Sequence, residues 1–352
     1  MWDAVIAGAG PAGAVAAHVL ARKGRQVLLA DSIPRYKIKV GEALPGAALR
    51  LLRKLELPVP DSDSPHAPIG GNLTSWNSAE LVATDFFGDP DGRGWRLDRL
   101  KFDAALRQTA VSSGATFQQT RVLGAERRGP AWLVKLDDDE IAEARWLVDA
   151  TGRSATLARQ LGARLLRDAP LTAIYGIGLP QKVSRLNRTI VEAMPIGWWY
   201  GGLLRSGAAM VGLHLLPRDA RPFTVSPEAW RQELLATRYI SSAFGDAEFH
   251  WPLHTLDASS GVLDRVIGEG WIACGDAAMS FDPISGQGIL GAVYGGMLAA
   301  MTVHQVLRGE SAARSEYQSR QETIRVIYLS RCRSVYQAQS RWSDSRFWSE
   351  RG

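Results

Sequence analysis

The sequence predicts a mixed α/β protein, and three observations lead there. An apolar run at 3–7 enters a glycine-rich turn and then an Ala-rich helix, the order in which a parallel sheet acquires its crossover helices. Strand-like runs at 171–179, 189–193, 198–204 and 208–216 follow one another closely, which suits an antiparallel sheet. Helical patterns occupy the chain from 286 onward. The 352 residues are 46% hydrophobic and 22% charged, enough for two folding units with a sizeable core, so a disordered chain or a disulfide scaffold is excluded. The 35 Gly and 17 Pro show no triplet period, which excludes a collagen-like chain.

The first strand, Asp3 to Ala7, leads into Gly8-Ala-Gly10-Pro11-Ala12-Gly13, a helix that stops at Gly24, and a second strand at 26–30 ending in Asp31. Gly8 permits the tight turn, Gly10 lets backbone approach a pyrophosphate, and Gly13 lets helix and strand pack closely. The helix N-terminus, with Pro11 and Ala12 in its first turn, then turns unpaired N–H groups and its positive dipole end toward the phosphates. Asp31 lies 18 residues beyond Gly13, where a carboxylate accepts a ribose 2′-OH and disfavours a 2′-phosphate. The expected ligand is FAD or NAD, not NADP.

The elements between are punctuated by turn residues. Residues 58–70 are a Pro/Ser/Asp loop, expected as a surface connection or a flap. Runs at 114–122 and 131–136 alternate as strands, with Gly129-Pro130 as a turn, and 227–236 reads as a helix. Residues 286–307 are apolar enough to be weighed as a membrane helix, but Gln287, His304, Gln305 and five Gly favour a buried helix packed closely on a sheet. No membrane span and no nucleic-acid partner are expected. Two cysteines, Cys274 and Cys332, exclude a disulfide framework and suit a reducing, cytoplasmic setting. No metal site is expected, because Pro252 breaks any helix that would align His250 with His254. The apolar run at 4–7 has no basic segment before it, unlike a signal peptide.

Three later segments decide between FAD and NAD. They are Asp149-Ala-Thr151-Gly152, Gly275-Asp276, and Asp282-Pro283-Ile-Ser-Gly286-Gln287-Gly288-Ile289. With the first motif and in this order, they resemble the FAD-dependent monooxygenase and flavin-dependent halogenase superfamily, of p-hydroxybenzoate hydroxylase-like fold. The resemblance implies a Rossmann-type FAD-binding domain with an inserted antiparallel β-sheet substrate domain and C-terminal helices. It divides the chain into an FAD domain at 1–75, 95–165 and 260–310, a roof at 76–94 and 166–259, and a helical tail at 311–352. It also assigns the Thr151–Gly152 return to the dinucleotide, Asp276 after Gly275 to the ribityl hydroxyls, and the Pro283, Gly286, Gln287, Gly288 and Ile289 loop to the flavin pyrimidine edge. A reduced flavin carries negative charge there, which a helix N-terminus stabilises.

Further segments narrow the resemblance. Lys37-Ile-Lys39-Val-Gly41-Glu42-Ala-Leu-Pro45 is similar to the Gly-Glu-x-x-Pro segment beside the flavin, which places Lys39 and Glu42 there. The segment from Trp95 to Asp103 resembles an Arg-x-x-Phe-Asp helix start whose Arg, here Arg99, is implied to face the cofactor, and Val122 is implied to bond adenine through its backbone. Gly197-Trp198-Trp199-Tyr200 and the 341–348 tail resemble the halogenase-related flavoproteins that mature quinone-cofactor (tryptophylquinone) amine and amino-acid oxidases by oxygenating a tryptophan on a partner protein.

The implied activity is hydroxylation of an aromatic ring through a flavin C4a-hydroperoxide, with O2 as oxidant and a tryptophan side chain of a partner protein or peptide as substrate. No second GxGxxG is present, so electrons come from transiently bound NAD(P)H or a separate flavin reductase. Trp199, Tyr200 and His214 are the expected substrate-pocket residues, since aromatic walls hold an indole and Tyr or His orients a proton. Core packing for Trp198 and Trp199, and a satisfied strand histidine for His214, are the competing readings. No essential acid or base is assigned. Halogenation is demoted because Lys54, the only lysine between Glu42 and Lys101, belongs to a solvated helix face. An isoprenoid-reductase-like flavoprotein and a non-catalytic escort of a maturing partner remain alternatives. The segment 307–352 holds nine Arg against five acids beside Trp342, Phe347 and Trp348, which reads as a solvated helix face or as a docking surface for an acidic partner.

Overall fold

The computed structural model describes residues 1–352 apart from 33–38, 87, 89 and 183–185. Lys37 and Ile38 of the Gly-Glu segment therefore lie outside the described residues.

Two large sheets organise the molecule. The first has a parallel core in the order Trp271–Ala273, Ile141–Asp149, Trp2–Ala7, Val27–Ala30, Thr116–Gln118. Val27–Ala30 and Trp271–Ala273 are buried at every position, as strands covered on both faces must be. The helix Pro11–Arg22 follows the first strand with Pro11 in its first turn, where a missing N–H costs nothing. Gly24, at φ +73°, ends it as expected. The long apolar helix Gly288–Leu307 packs on Pro11–Arg22 and on the Gly275–Ala277 turn rather than flat on the sheet. A Cβ on Gly296 would strike the Ala12 backbone, which is why a small residue stands there. Its mean hydropathy of 1.3 meets the length and composition of a membrane span, yet one stripe of it is buried in this packing.

The hairpin Val122–Arg128/Ala131–Leu136 turns at Gly129, φ +60°, where the dipeptide signal placed it. The run expected as one strand at 114–122 divides, because Thr116–Gln118 joins the parallel core while Val122 begins the hairpin.

The second sheet has the order Glu248–Phe249, Thr172–Leu179, Ala209–Leu215, Gly197–Leu203, Arg188–Met194, Gly71–Ser75, Val82–Asp85, with His254–Asp257 also on Thr172–Leu179. All four expected runs are strands of this roof. One expectation changes: Gly71–Ser75, assigned to the first domain, pairs here, and its pairing with Arg188–Met194 is parallel. Helices Pro227–Ala236 and Tyr239–Phe244 cover the outer face through Trp230, Leu234, Ile240 and Phe244. The buried Glu192 carboxylate accepts from the backbone N–H groups of Arg238, Tyr239 and Ile240 at 2.7–2.9 Å, satisfying the start of the second helix.

The tail helices Ala313–Gln337 and Arg346–Arg351 tie the two sheets together. Tyr317 donates to the Ala273 carbonyl at 2.6 Å in the parallel sheet, and Trp348 Nε1 to the Met194 carbonyl at 2.9 Å in the roof. Phe347 and Trp348 are buried with Trp76, Trp198 and Tyr336. Arg325 pairs with Asp168, Arg351 with Asp282, and Arg341 donates to the Trp76 carbonyl. These side chains of the basic tail are therefore internal struts, and the exposed Arg331 and Arg333 form its solvated side.

Candidate functional site

A cavity of about 770 Å³ lies between the C-terminal ends of the parallel strands and the inner face of the roof. Ala7, Ala30, Ala150 and Cys274 at or just past those strand ends form its floor, where an open α/β sheet places its ligand. The expected Gly8, Gly10, Pro11, Ala12, Asp31, Lys39, Glu42, Arg99, Val122, Thr151, Gly152, Asp276, Pro283, Gly286, Gln287, Gly288 and Ile289 all line it.

The glycines divide by task. A Cβ on Gly13 would strike the Gly8 carbonyl and one on Gly275 would meet the Ala12 side chain, so these two residues allow close packing behind the cavity. A Cβ on Gly10, Gly286 or Gly288 would meet no atom within 4 Å. The chain thus leaves open space along the backbone at the N-termini of two long helices that face one cavity. Such a cradle fits the pyrophosphate and pyrimidine edge of FAD. Asp31, at the second strand's end, accepts the Ala9 N–H at 2.7 Å and reaches the cavity beside it.

Asp149, buried and overlooked as a site residue, shapes the return. Its carboxylate accepts the Thr151 N–H at 2.9 Å, the Thr151 hydroxyl at 2.7 Å and the Ala158 N–H at 2.7 Å. Arg153 donates to the Ser259 and Phe281 carbonyls, both at 2.7 Å, and stands 3.6 Å from Asp276. Burial raises the Asp276 carboxyl above the usual carboxylate range, opposed by Arg153 and Arg99. Arg99 is held by Asp103 and donates to the Val40 and Gly41 carbonyls at 3.0 and 2.9 Å. Lys39 meets the same Asp103 at 2.9 Å. Arg99 and Lys39 therefore fix the 39–41 segment through a shared buried carboxylate, a partner four residues after Arg99 that the helical spacing could have flagged.

The inner roof wall follows the period of 2. Trp198 and Tyr200 face the cavity, whereas Trp199 points to the outer face and packs on Trp230 at 5.2 Å. The expectation that Trp199 faces the cavity is thereby corrected: its neighbour Trp198 lines it instead. His214 is fully buried, stacked on Trp198 at 3.6 Å, and its Nε2 meets the Tyr175 hydroxyl at 2.9 Å. Tyr175 is the partner that sequence could not reveal; Gly212 across the strand pair leaves room for its ring. Burial pushes His214 down to about 3, so the ring is neutral. The Tyr200 hydroxyl donates to Glu42 at 2.6 Å, and burial with that carboxylate raises the Tyr200 phenol. Arg96, buried and 3.8 Å from Glu42, donates to Leu203 and Thr189 of the roof and was also overlooked. Lys54 is exposed on the helix Gly46–Lys54, outside the cavity.

Comparison with known proteins agrees with this geometry. Residues 91–351 match the tryptophan halogenase family. The chain is 29% identical, over 99% of its length and 96% of the relative's, to LodB of Marinomonas mediterranea, which carries the description FAD-dependent oxidoreductase. The myxobacterial chondrochloren halogenase CndH superposes with TM-score 0.87 at 20% identity, covering 99% of this chain and 85% of the other. The peptidyl tryptophan dihydroxylase QhpG, essential for tryptophylquinone cofactor biogenesis, superposes with TM-score 0.76 at 25% identity, covering 99% and 78%.

Proposed function

The chain belongs to the tryptophan halogenase family and is an FAD-dependent oxidoreductase; from that premise we propose that it hydroxylates an aromatic ring, a tryptophan side chain carried by a partner polypeptide. The observation that carries the reading is the inner roof wall, where Trp198, Tyr200, Tyr175 and a neutral His214 face the flavin-binding turns across one cavity. QhpG, similar in fold and sequence, acts on a peptidyl tryptophan, which supports that substrate class.

FAD, when bound and reduced, supplies the activation of dioxygen. The balance is one ring C–H, O2, NAD(P)H and a proton giving one ring C–OH, water and NAD(P)+. The chain's own part is positioning and exclusion. Trp198 offers a ring edge or face to an indole, Tyr200 is held toward Glu42, and the apolar wall keeps water from the reacting atoms. Gly10, Asp31, Thr151, Asp276 and the 283–289 segment hold the dinucleotide. Two cysteines, both free, support a reducing compartment.

The test is incubation of the FAD-loaded protein with NAD(P)H, O2 and an unmodified tryptophan-bearing polypeptide. A mass gain of one or two oxygen atoms, labelled by heavy O2, is expected; no gain overturns the substrate. A parallel arm with a flavin reductase separates direct from indirect use of NAD(P)H. Halogenation is the second reading, favoured by the family match. It predicts a bromide- or chloride-dependent mass shift instead, although Lys39, the cavity-lining lysine among the described residues, is engaged by Asp103.

A further inference from the structure

Asp282 opens the turn Pro283–Ser285 and is fully buried. One carboxylate oxygen accepts the Ile284 N–H at 2.9 Å and so caps that turn. The other accepts the Tyr336 hydroxyl at 3.0 Å and the Arg351 guanidinium. The Asp282 N–H donates to the Tyr328 hydroxyl at 3.0 Å. Arg351, with a side chain only 3% exposed, lies 4.5 Å over the Tyr336 ring and donates to the Ala169 and Pro170 carbonyls at 3.2 and 3.1 Å. The Tyr336 hydroxyl that donates to Asp282 also accepts from Trp198 Nε1 at 3.1 Å. Asp282 and Trp198 both line the cavity and meet at the Tyr336 hydroxyl behind it, with Arg351 on the same carboxylate.

We propose that Arg351, acting through Asp282 and Tyr336, is a positioning residue that sets the 283–289 turn and the Trp198 wall together, so that the tail fixes the distance between cofactor and substrate. This rests on the FAD reading of the cavity. A buried ion pair is weak evidence for stability, because desolvation offsets its attraction, but it holds its members in one arrangement. Here that arrangement joins the two walls through a single phenol. It also keeps the buried carboxylate neutralised beside a turn that faces a cofactor whose reduced form is anionic.

The experiment uses the FAD-loaded protein and the variants Asp282→Asn, Arg351→Met, Arg351→Met with Asp282→Asn, Arg351→Lys and Tyr336→Phe. At pH 8 the ratio of reduced to oxidised FAD affinity is measured together with the flavin absorbance band, thermal midpoint, and kcat and KM for a tryptophan-bearing polypeptide. Asp282→Asn should favour reduced FAD and Arg351→Met should disfavour it. Each shift should be about tenfold, or about 30 mV for a two-electron couple. The double variant should return within about threefold of the parent, and Arg351→Lys should shift less than Arg351→Met. Tyr336→Phe keeps the ring and cuts both bonds, so the flavin band should move and KM should rise more than kcat falls. Variants that melt earlier but leave the affinity ratio, band and KM unchanged would show packing alone and overturn the proposal. The conservative Arg351→Lys and Tyr336→Phe keep the test decisive if the charge variants do not fold. Absence of an FAD band in the parent would instead defeat the cofactor reading.

Discussion

At the scale of single residues, a change of one position decides which side chain faces the cavity. Trp198 and Trp199 are adjacent, identical in type and both buried, yet one faces the cavity and the other the outer helices. Trp199→Ala should therefore act as a core deletion, costing about 3–5 kcal/mol in urea unfolding, whereas Trp198→Phe should act mainly on KM. His214 carries a pH signature. Its folded value of about 3 lies below the unfolded value, so the unfolded chain takes the proton first and stability falls as pH drops from about 6.5 toward about 3. From about pH 7.5 to about pH 5 this amounts to roughly 2 kcal/mol, and His214→Gln should lose correspondingly less over that interval. The glycines separate cofactor from fold. Gly10→Ala should leave the FAD-free protein within about 0.5 kcal/mol of the parent while weakening FAD binding at least about tenfold. Gly13→Ala should unfold the protein more readily even without FAD, because its Cβ enters the Gly8 carbonyl. Titration calorimetry and denaturant melts distinguish the two. The positions of Gly10 and Asp31 beside the cavity and the close packing of Gly13 were legible from spacing, whereas Asp149, Tyr175 and Arg96 were not, because their partners are remote in sequence or meet only in the turn they shape.

At the scale of elements, local pattern did well wherever the partner was near in the chain. The helix expected at 227–236 is Pro227–Ala236, and Ser226 accepts the Ala229 N–H at 3.1 Å to cap it. The hairpin at Gly129 and the four roof runs also fall close to their expected limits. Gly71–Ser75 did not reveal its sheet, because a parallel partner more than a hundred residues away leaves no local trace. Glu192 is the non-local counterpart of a cap. A strand residue, it satisfies three N–H groups of a helix start, so Glu192→Ala should cost about 1–3 kcal/mol. A shift in the urea midpoint without loss of the FAD band would match that local role.

At the scale of the whole molecule, the parallel sheet, the roof and the tail enclose one cavity and share one buried network. FAD at about one hundred times its dissociation constant should add about 2.7 kcal/mol to stability. Because both walls depend on the same ligand, the roof and the FAD domain should melt in one transition that moves as a unit, as calorimetry would show. The sequence by itself determined the dinucleotide cradle and the order of its motifs, since turns, helix starts and glycine spacing are set within a few residues of one another. Only the tertiary structure decided which of two tryptophans faces the cavity, what keeps His214 neutral, and that a basic tail is a strut. Each of those depends on a burial and a partner that chain folding brings together from distant positions.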